Sequence, residues 1–269
     1  MGAEQNSDAC RSGGFAGVES PEALVAGIRA GLRAGEFRVA FQPIVHAQAS
    51  RLDSVECLLR WHHPQYGVLL PAAFEQALHD PEVAYEITGF VLDAAARVLG
   101  ERTRYDAPGL RVAVNIQPSQ LLDERLAALL GDTVRKYGVE SSCFELELVE
   151  SEETLVLVST GEFTSSLRSM GVRFALDDFG TGYSSLAVLA GAHVDSVKLA
   201  REFLGVAPMS AASRQSRFVR TVVDMLAALD LRVVVEGVET ETQMAWLSDV
   251  PDVYAQGYYV GRPSYDFPR

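Results

Sequence analysis

Thiols are scarce in this 269-residue chain: Cys10, Cys57 and Cys143 are the only three, and no two form a CxxC pair. An odd number at scattered positions argues against a disulfide framework. Cys57 and Cys143 lie in or beside strand-like runs, where a buried thiol packs as a small apolar group. Long hydrophobic runs are missing as well. None reaches the roughly 18–20 residues that a membrane-spanning helix needs. The N-terminus, MGAEQNSDACRSGGFAGVES, has neither the basic segment nor the apolar core of a signal peptide, and Asn6 breaks the myristoylation pattern. Positive charge is also short. Lys and Arg number 23 against 36 Asp and Glu, for a formal net charge of −13. That balance argues against a DNA-binding surface or an anionic-membrane anchor. It leaves open a small phosphate-bearing ligand, because bound cations reverse a local field. Together these absences predict a soluble, cytoplasmic protein.

Apolar residues make up 48% of the chain, enough for a sizeable core. Residues 1–20 are Gly- and Ser-rich without periodicity and read as a flexible tail, leaving 21–269 as one folded domain. Ser20-Pro21-Glu22 carries an N-cap and a first-turn proline, so a helix starts there and Gly35 ends it. Two strand-like runs follow, 38–45 (RVAFQPIV) and 54–61 (SVECLLRW). About eight residues separate them, too few for a parallel crossover, so they pair antiparallel.

From there the rhythm becomes strand, helix, strand. Helices are predicted over 71–79, 85–99, 121–137, most of 152–170, 184–190, 213–229 and 240–247. Strands are predicted over 111–116, 144–149, 174–176, 196–200, 232–237 and 255–260. Eight strands, seven of them alternating with helices, specify an α/β fold: a TIM-like (β/α)8 barrel whose first strand runs antiparallel.

Chemistry in such barrels sits at the C-terminal ends of the strands. In order, those ends carry Glu56, Asn115, Glu147, Asp177, Asp178, Lys198, Glu236 and Gln256. Each alone has an ordinary explanation: an alternating strand, a loop cap, a salt bridge. So many inward polar groups together are severely destabilising unless they bind something. An all-oxygen set without His or Cys suits hard cations such as Mg²⁺ or Mn²⁺ rather than zinc or copper. Two such ions, with Asp177 between them, can clamp a phosphodiester. Lys198 can orient a water or offset transition-state charge. The dipeptide His79-Asp80 lacks partner histidines at a suitable spacing and reads as a helix end.

The motifs FQPIV (41–45), ECLLRW (56–61), VNIQPSQL (114–121), ELELVES (145–151), LDDFGTGYSSL (176–186), VKLAREF (197–203), VEGVET (235–240) and AQGYYVGRP (255–263) stand in one order along the chain. On these residues the chain resembles the EAL domains, the cyclic-di-GMP phosphodiesterases, from about residue 21 to Pro263. The resemblance implies two-metal hydrolysis of cyclic di-GMP to linear pGpG. It implies that Glu56, Asn115, Glu147 and Asp177 hold one metal and that Asp177 and Asp178 hold the second. Glu236 would coordinate or support the metal-bound water, and Lys198 and Gln256 would position water and phosphate. Arg60 would meet a substrate phosphate, Gln42 and Leu58 would line the substrate pocket, and Glu239 would brace the site from the seventh strand. Glu150 would hold the 179–185 loop over the metals. Ca²⁺ is expected to inhibit.

Two positions depart from the family pattern. Its EAL tripeptide is here Glu56-Cys57-Leu58, a small volume change at a position expected to pack away from the mouth. Its Lys-Ile-Asp is here Lys198-Leu199-Ala200, which removes an acid from the face that carries the lysine. Ala200 keeps a second reading open: a receptor that binds cyclic di-GMP without cleaving it. A third reading is an interaction scaffold, which has no use for a complete oxygen cluster. The resemblance further implies a homodimer, and an upstream sensor partner is a candidate source of control.

Overall fold

The computed structural model describes residues 20–102, 109–161, 164–182, 189–205 and 213–268. The Ser20 hydroxyl accepts a hydrogen bond from the Ala23 N–H, and Pro21 opens helix α1 (Pro21–Ala34). Gly35, at φ 71°, closes it in the left-handed conformation that glycine adopts without strain. Strands β1 (Phe37–His46), β2 (Arg51–His63) and β3 (Gly67–Leu69) come next, then helices α2 (Glu75–Leu78) and α3 (Pro81–Arg102). The chain continues through β4 (Arg111–Asn115), α4 (Arg125–Tyr137), β5 (Phe144–Val149), α5 (Glu152–Thr160), α6 (Ser165–Ser169) and β6 (Arg173–Phe179). It closes with β7 (Ser196–Leu199), α7 (Arg214–Ala227), β8 (Arg232–Val235), α8 (Glu241–Ser248) and β9 (Val253–Gln256). Among the described residues no helix is long and apolar enough to cross a membrane.

Strands β2, β4, β5, β6, β7, β8 and β9 pair parallel in that order. Strand β1 closes the cylinder by running antiparallel to both β2 and β9. This is the eight-stranded α/β barrel with a reversed first strand that the sequence predicts. The small β3 lies outside it, paired only to β2.

Alternation along the strands sorts the chain into two compartments. Outward positions such as Val55, Cys57, Val112, Leu146, Phe174, Leu199 and Val233 are buried in the apolar layer between barrel and helices. Most inward positions are polar or small: Ser54 and Glu56, Ala113 and Asn115, Glu145 and Glu147, Ala175 and Asp177, Ser196 and Lys198, with Ile44 and Val234 as apolar exceptions. The barrel therefore has a greasy coat and a polar bore.

Several element boundaries differ from the sequence reading. The strand expected over 255–260 is β9, ending at Gln256. Tyr258 and Tyr259, strand-like by type, are exposed beyond it. A Cβ on Gly257 would lie 2.2 Å from the Val238 carbonyl oxygen, so the chain passes there only as glycine. The helix expected over 71–79 divides into a 3₁₀ turn (Pro71–Ala73) and α2, around the fully buried Phe74. The one expected over 121–137 begins as a 3₁₀ turn (Pro118–Leu122) before α4. The 152–170 region holds two helices, α5 and α6. Strand β3 was not anticipated. Most of the helix expected over 184–190, and the tail before Ser20, lie outside the described residues.

The lower end of the bore is held by ions. Asp53 Oδ2 accepts from Arg111 and Arg232, at 2.6 Å each, and Arg232 lies over the Tyr254 ring. Burial pushes the Asp53 carboxyl up, but Arg232 and Arg111 outweigh it and hold the group below the usual carboxylate range. Asp53→Ala takes that carboxylate from the mostly buried Arg111 and leaves Arg232 with Ser54 and a longer contact to Glu145, and is expected to cost about 3 kcal/mol in denaturant unfolding. The wild-type contribution is present above the unfolded pKa near 3.8 and is lost as pH falls through the lower folded value. The Asp53→Ala variant should lack that acid-dependent loss.

Candidate active site at the barrel mouth

Each barrel strand, or the residue just past it, sends one polar side chain to the same level of the bore. These are Gln42, Glu56, Asn115, Glu147, Asp177, Lys198, Glu236 and Gln256. Glu56 is not at a strand end, as the sequence reading had it. Its strand continues to His63, and Glu56 reaches the mouth because it pairs beside Ala113, two residues before the end of β4. Leu58 and Arg60 follow at two-residue intervals on that face, above the mouth.

Lys198 is 1% exposed and forms the hub. Its Nζ lies 2.9 Å from Glu236 Oε1, 3.0 Å from Asp177 Oδ1, 3.1 Å from Glu147 Oε2 and 3.2 Å from Glu56 Oε2. Glu56 also accepts from Gln256 Nε2 (2.6 Å) and Asn115 Nδ2 (2.9 Å). Gln42 joins through Gln256 and through the Gly261 carbonyl.

Adjacent strand residues point to opposite faces, yet Asp177 and Asp178 both serve the mouth. The reason is a bulge. Leu176 pairs with Val197 but Phe179 pairs with Leu199, so β6 carries one residue more than β7 over that interval. Asp178 takes up the extra residue at φ 53°. Carboxylate oxygens of Asp177, Asp178 and Glu236 then lie within 4.8 Å of one another, as do those of Glu56, Glu147 and Asp177. Asp177 belongs to both groups.

Glu150 holds the loop after this bulge. Its Oε2 accepts from the N–H groups of Gly180 (2.7 Å) and Gly182 (3.4 Å). Gly180, at φ 97°, is pressed so closely on Phe203 that a Cβ would lie 2.2 Å from its ring. Phe203 in turn stacks on Phe218.

The mouth opens into a cavity of about 690 Å³. Gln42, Glu56, Asp177, Asp178, Lys198, Glu236, Glu239 and Gln256 line it, as do Thr181, Arg201, Glu202 and Tyr258. Neither Asn115 nor Glu147 is part of that lining: Glu147 is buried and Asn115 is exposed. Glu150, Leu58 and Arg60 lie outside it, and Arg60 donates to the Leu59 carbonyl. Thr181, Arg201, Glu202 and Tyr258 were not anticipated as lining. Arg201 and Glu202 follow the VKLA strand directly, and Tyr258 had been read as a strand residue.

Ala200 is fully buried and absent from the lining, at the point where the chain turns from β7 into a 3₁₀ turn. Cys57 packs in the outer apolar layer. Burial, with Glu56 and Glu147 nearby, pushes its thiol far up, so the thiolate that redox chemistry needs is suppressed.

Charge in this bore is unbalanced. Burial pushes Glu147 well above the carboxylate range, against the pull of Lys198. Burial also lifts Glu236 to about 7, and burial with Asp177 raises Asp178. Burial would raise Glu56 too, but the Lys198 charge and the amides of Gln256 and Asn115 outweigh it and bring that group down. Lys198 is disfavoured by burial and held firmly charged by its four carboxylates.

The donors fit hard divalent cations. They are oxygens only, in two three-carboxylate groups sharing one member. Gln256 Oε1 is buried and accepts no hydrogen bond among the described residues, and Asp177 Oδ1 has its ion pair with Lys198 but no other partner there.

The comparisons with known proteins point one way. A family model described as EAL domain matches residues 26–263. The cyclic di-GMP phosphodiesterase NbdA of Pseudomonas aeruginosa is 33% identical over 88% of this chain, which spans 30% of NbdA. An uncharacterized signaling protein of Caulobacter vibrioides is 32% identical over 90% of the chain, which spans 29% of that relative. The chain thus spans less than a third of the length of these two curated relatives. Among solved structures, a complex of the PaMucR phosphodiesterase with c-di-GMP is 30% identical, with a TM-score of 0.77. That match covers 90% of this chain and 97% of the other.

The raised carboxyl groups make the metal-free protein sensitive to pH. Glu236 titrates near 4.5 when unfolded and at about 7 when folded, so its favourable contribution is complete below 4.5 and lost as pH rises through about 7. With chelator present, the melting temperature should fall across that window, and Glu236→Gln should flatten the fall.

Proposed function

Because the chain belongs to the EAL-domain family, we propose that it hydrolyses one phosphodiester bond of cyclic di-GMP to give linear pGpG, using two divalent cations, Mg²⁺ or Mn²⁺. The observation that carries this reading is Asp177, shared between two carboxylate groups at one barrel mouth. Glu56, Asn115, Glu147 and Asp177 would hold one ion, and Asp177 with Asp178 the other, Glu236 lying beside them. When bound, such ions supply Lewis-acid polarisation of the phosphodiester and neutralise its charge.

The chain's own groups do the rest. Glu236, whose carboxylate lies within 4.8 Å of those of Asp177 and Asp178, stands where it can take a proton from the attacking water. That water's oxygen bonds to phosphorus while one bridging ester oxygen leaves and gains a proton, which opens the ring. The Lys198 ammonium offsets the charge that gathers on the phosphoryl oxygens. Gln256 and Gln42 offer amide groups to orient water and phosphate. Glu150 keeps the Gly180–Gly182 backbone, and with it Asp178, in place over the bore. Arg60 and Leu58, above Glu56, are assigned to the substrate side, as is Glu239, whose backbone is steadied by the Gln243 side chain.

One observation favours a second reading, binding without turnover. Ala200 stands where the family commonly has an acid, and its burial leaves nothing at that point to replace the carboxylate. A homodimer and an upstream sensor partner remain part of the proposal.

Purified protein given cyclic di-GMP and Mn²⁺ should release pGpG, measured by chromatography. Saturable binding without product would select the second reading. Glu56→Ala should reduce cleavage by more than about 100-fold, the scale seen when an electrostatic anchor of a transition state is removed. Ca²⁺ in place of Mn²⁺ should suppress turnover, because its looser and longer coordination does not reproduce the geometry of the smaller ions. Full activity with Ca²⁺ would contradict that assignment.

A further inference from the structure

We propose that Lys198 is the resident cation of the metal-free mouth, and that Nζ must give up its carboxylate contacts before metal can load. The inference rests on the metal-binding part of the functional reading and not on turnover.

Nζ meets one oxygen from each of Glu56, Glu147, Asp177 and Glu236, at 2.9 to 3.2 Å. Those four residues account for every member of the two candidate metal groups except Asp178. The ammonium and a divalent ion therefore draw on the same oxygens. An ion such as Mg²⁺ needs them at about 2.0–2.1 Å, which would place a double positive charge against an ammonium already among them. In a bore this buried, such repulsion is poorly screened.

Residue choice agrees with the assignment. Of the chain's 23 basic side chains only two are lysines, Lys136 and Lys198, and the rest are arginines. Among the described residues, lysine stands at the one basic position that contacts four carboxylates. A compact ammonium turns its three protons to acceptors that do not share a plane, whereas the N–H groups of a guanidinium are fixed in one plane. Charge counting points the same way. Glu56, Glu147, Asp177, Asp178 and Glu236 bring five negative charges when ionised, which two divalent ions and one ammonium together balance. Lysine is thus displaced from its contacts without being expelled from the mouth. In the metal-free protein the same contacts bind the ammonium to the protein's own carboxylates, so Lys198 is free to meet a substrate phosphate only once metal is bound.

The scarcity of lysine makes the idea directly observable. In ¹⁵N-lysine-labelled Lys136→Arg protein, the only side-chain ammonium signal belongs to Lys198. With chelator present that signal should be sharp, as expected of a hydrogen-bonded and buried group. Saturating Mg²⁺ should shift it or broaden it through exchange with water. A signal unchanged by Mg²⁺, while calorimetry shows the metal bound, would overturn the proposal. Lys198→Met should also bind Mn²⁺ at least tenfold more tightly than wild type by calorimetry, and melt at a lower temperature in chelator. Equal or weaker Mn²⁺ binding by folded Lys198→Met would overturn it. Absence of metal binding in wild type would remove this proposal and the metal site together. Metal binding with the ammonium shift, but no pGpG, would remove only the hydrolytic reading.

Discussion

An ammonium surrounded by four carboxylates is tolerable inside a protein only if the surrounding barrel holds all five groups in place. Strand alternation aims each side chain inward, and the apolar outer faces of the same strands fix the backbone that aims it. Replacing the polar bore by aliphatic residues would be expected to leave a perfectly good barrel, since buried ion pairs are weak sources of stability. The polar bore is therefore better explained by what it binds than by what it stabilises. Burial lifts Glu147 and Glu236, with the neighbouring carboxylates adding to it, so ionising the whole set calls for more positive charge than Lys198 alone supplies.

Local backbone irregularity does the fine placement. Without the bulge in β6, Asp178 would face the helical coat rather than the mouth. Without Gly180 the loop after it could not pass Phe203, and without Glu150 its N–H groups would lose their acceptor. Gly257 plays the same part after Gln256, letting the chain turn against Val238. Positions that carry no reacting group thus set where the reacting groups stand.

The fold was largely legible because apolar spacing reports strands and helices, and because a short connection forces antiparallel pairing. The converging polar residues were legible from type alone: acids, amides and one lysine at two-residue spacing from strand interiors. Other features left no local trace. Asp53 lies 58 residues from Arg111 and 179 from Arg232, so no motif announces the ionic floor. Tyr258 and Tyr259 have strand-forming side chains, but Gly257 ends the strand before them. The bulge at Asp178 depends on register against β7, which one strand read by itself does not contain. Glu56 sits mid-strand because β1 and β2 extend together past the mouth, a length that only their pairing reveals.

The central claim is that these carboxylates gather around divalent ions at one mouth. Crystals soaked in Mn²⁺ and measured for anomalous scattering test it most directly. The account predicts two peaks, one toward Glu56, Glu147 and Asp177 and the other toward Asp177 and Asp178. A mouth without anomalous density at saturating Mn²⁺, with Lys198 still bound to all four carboxylates, would contradict it.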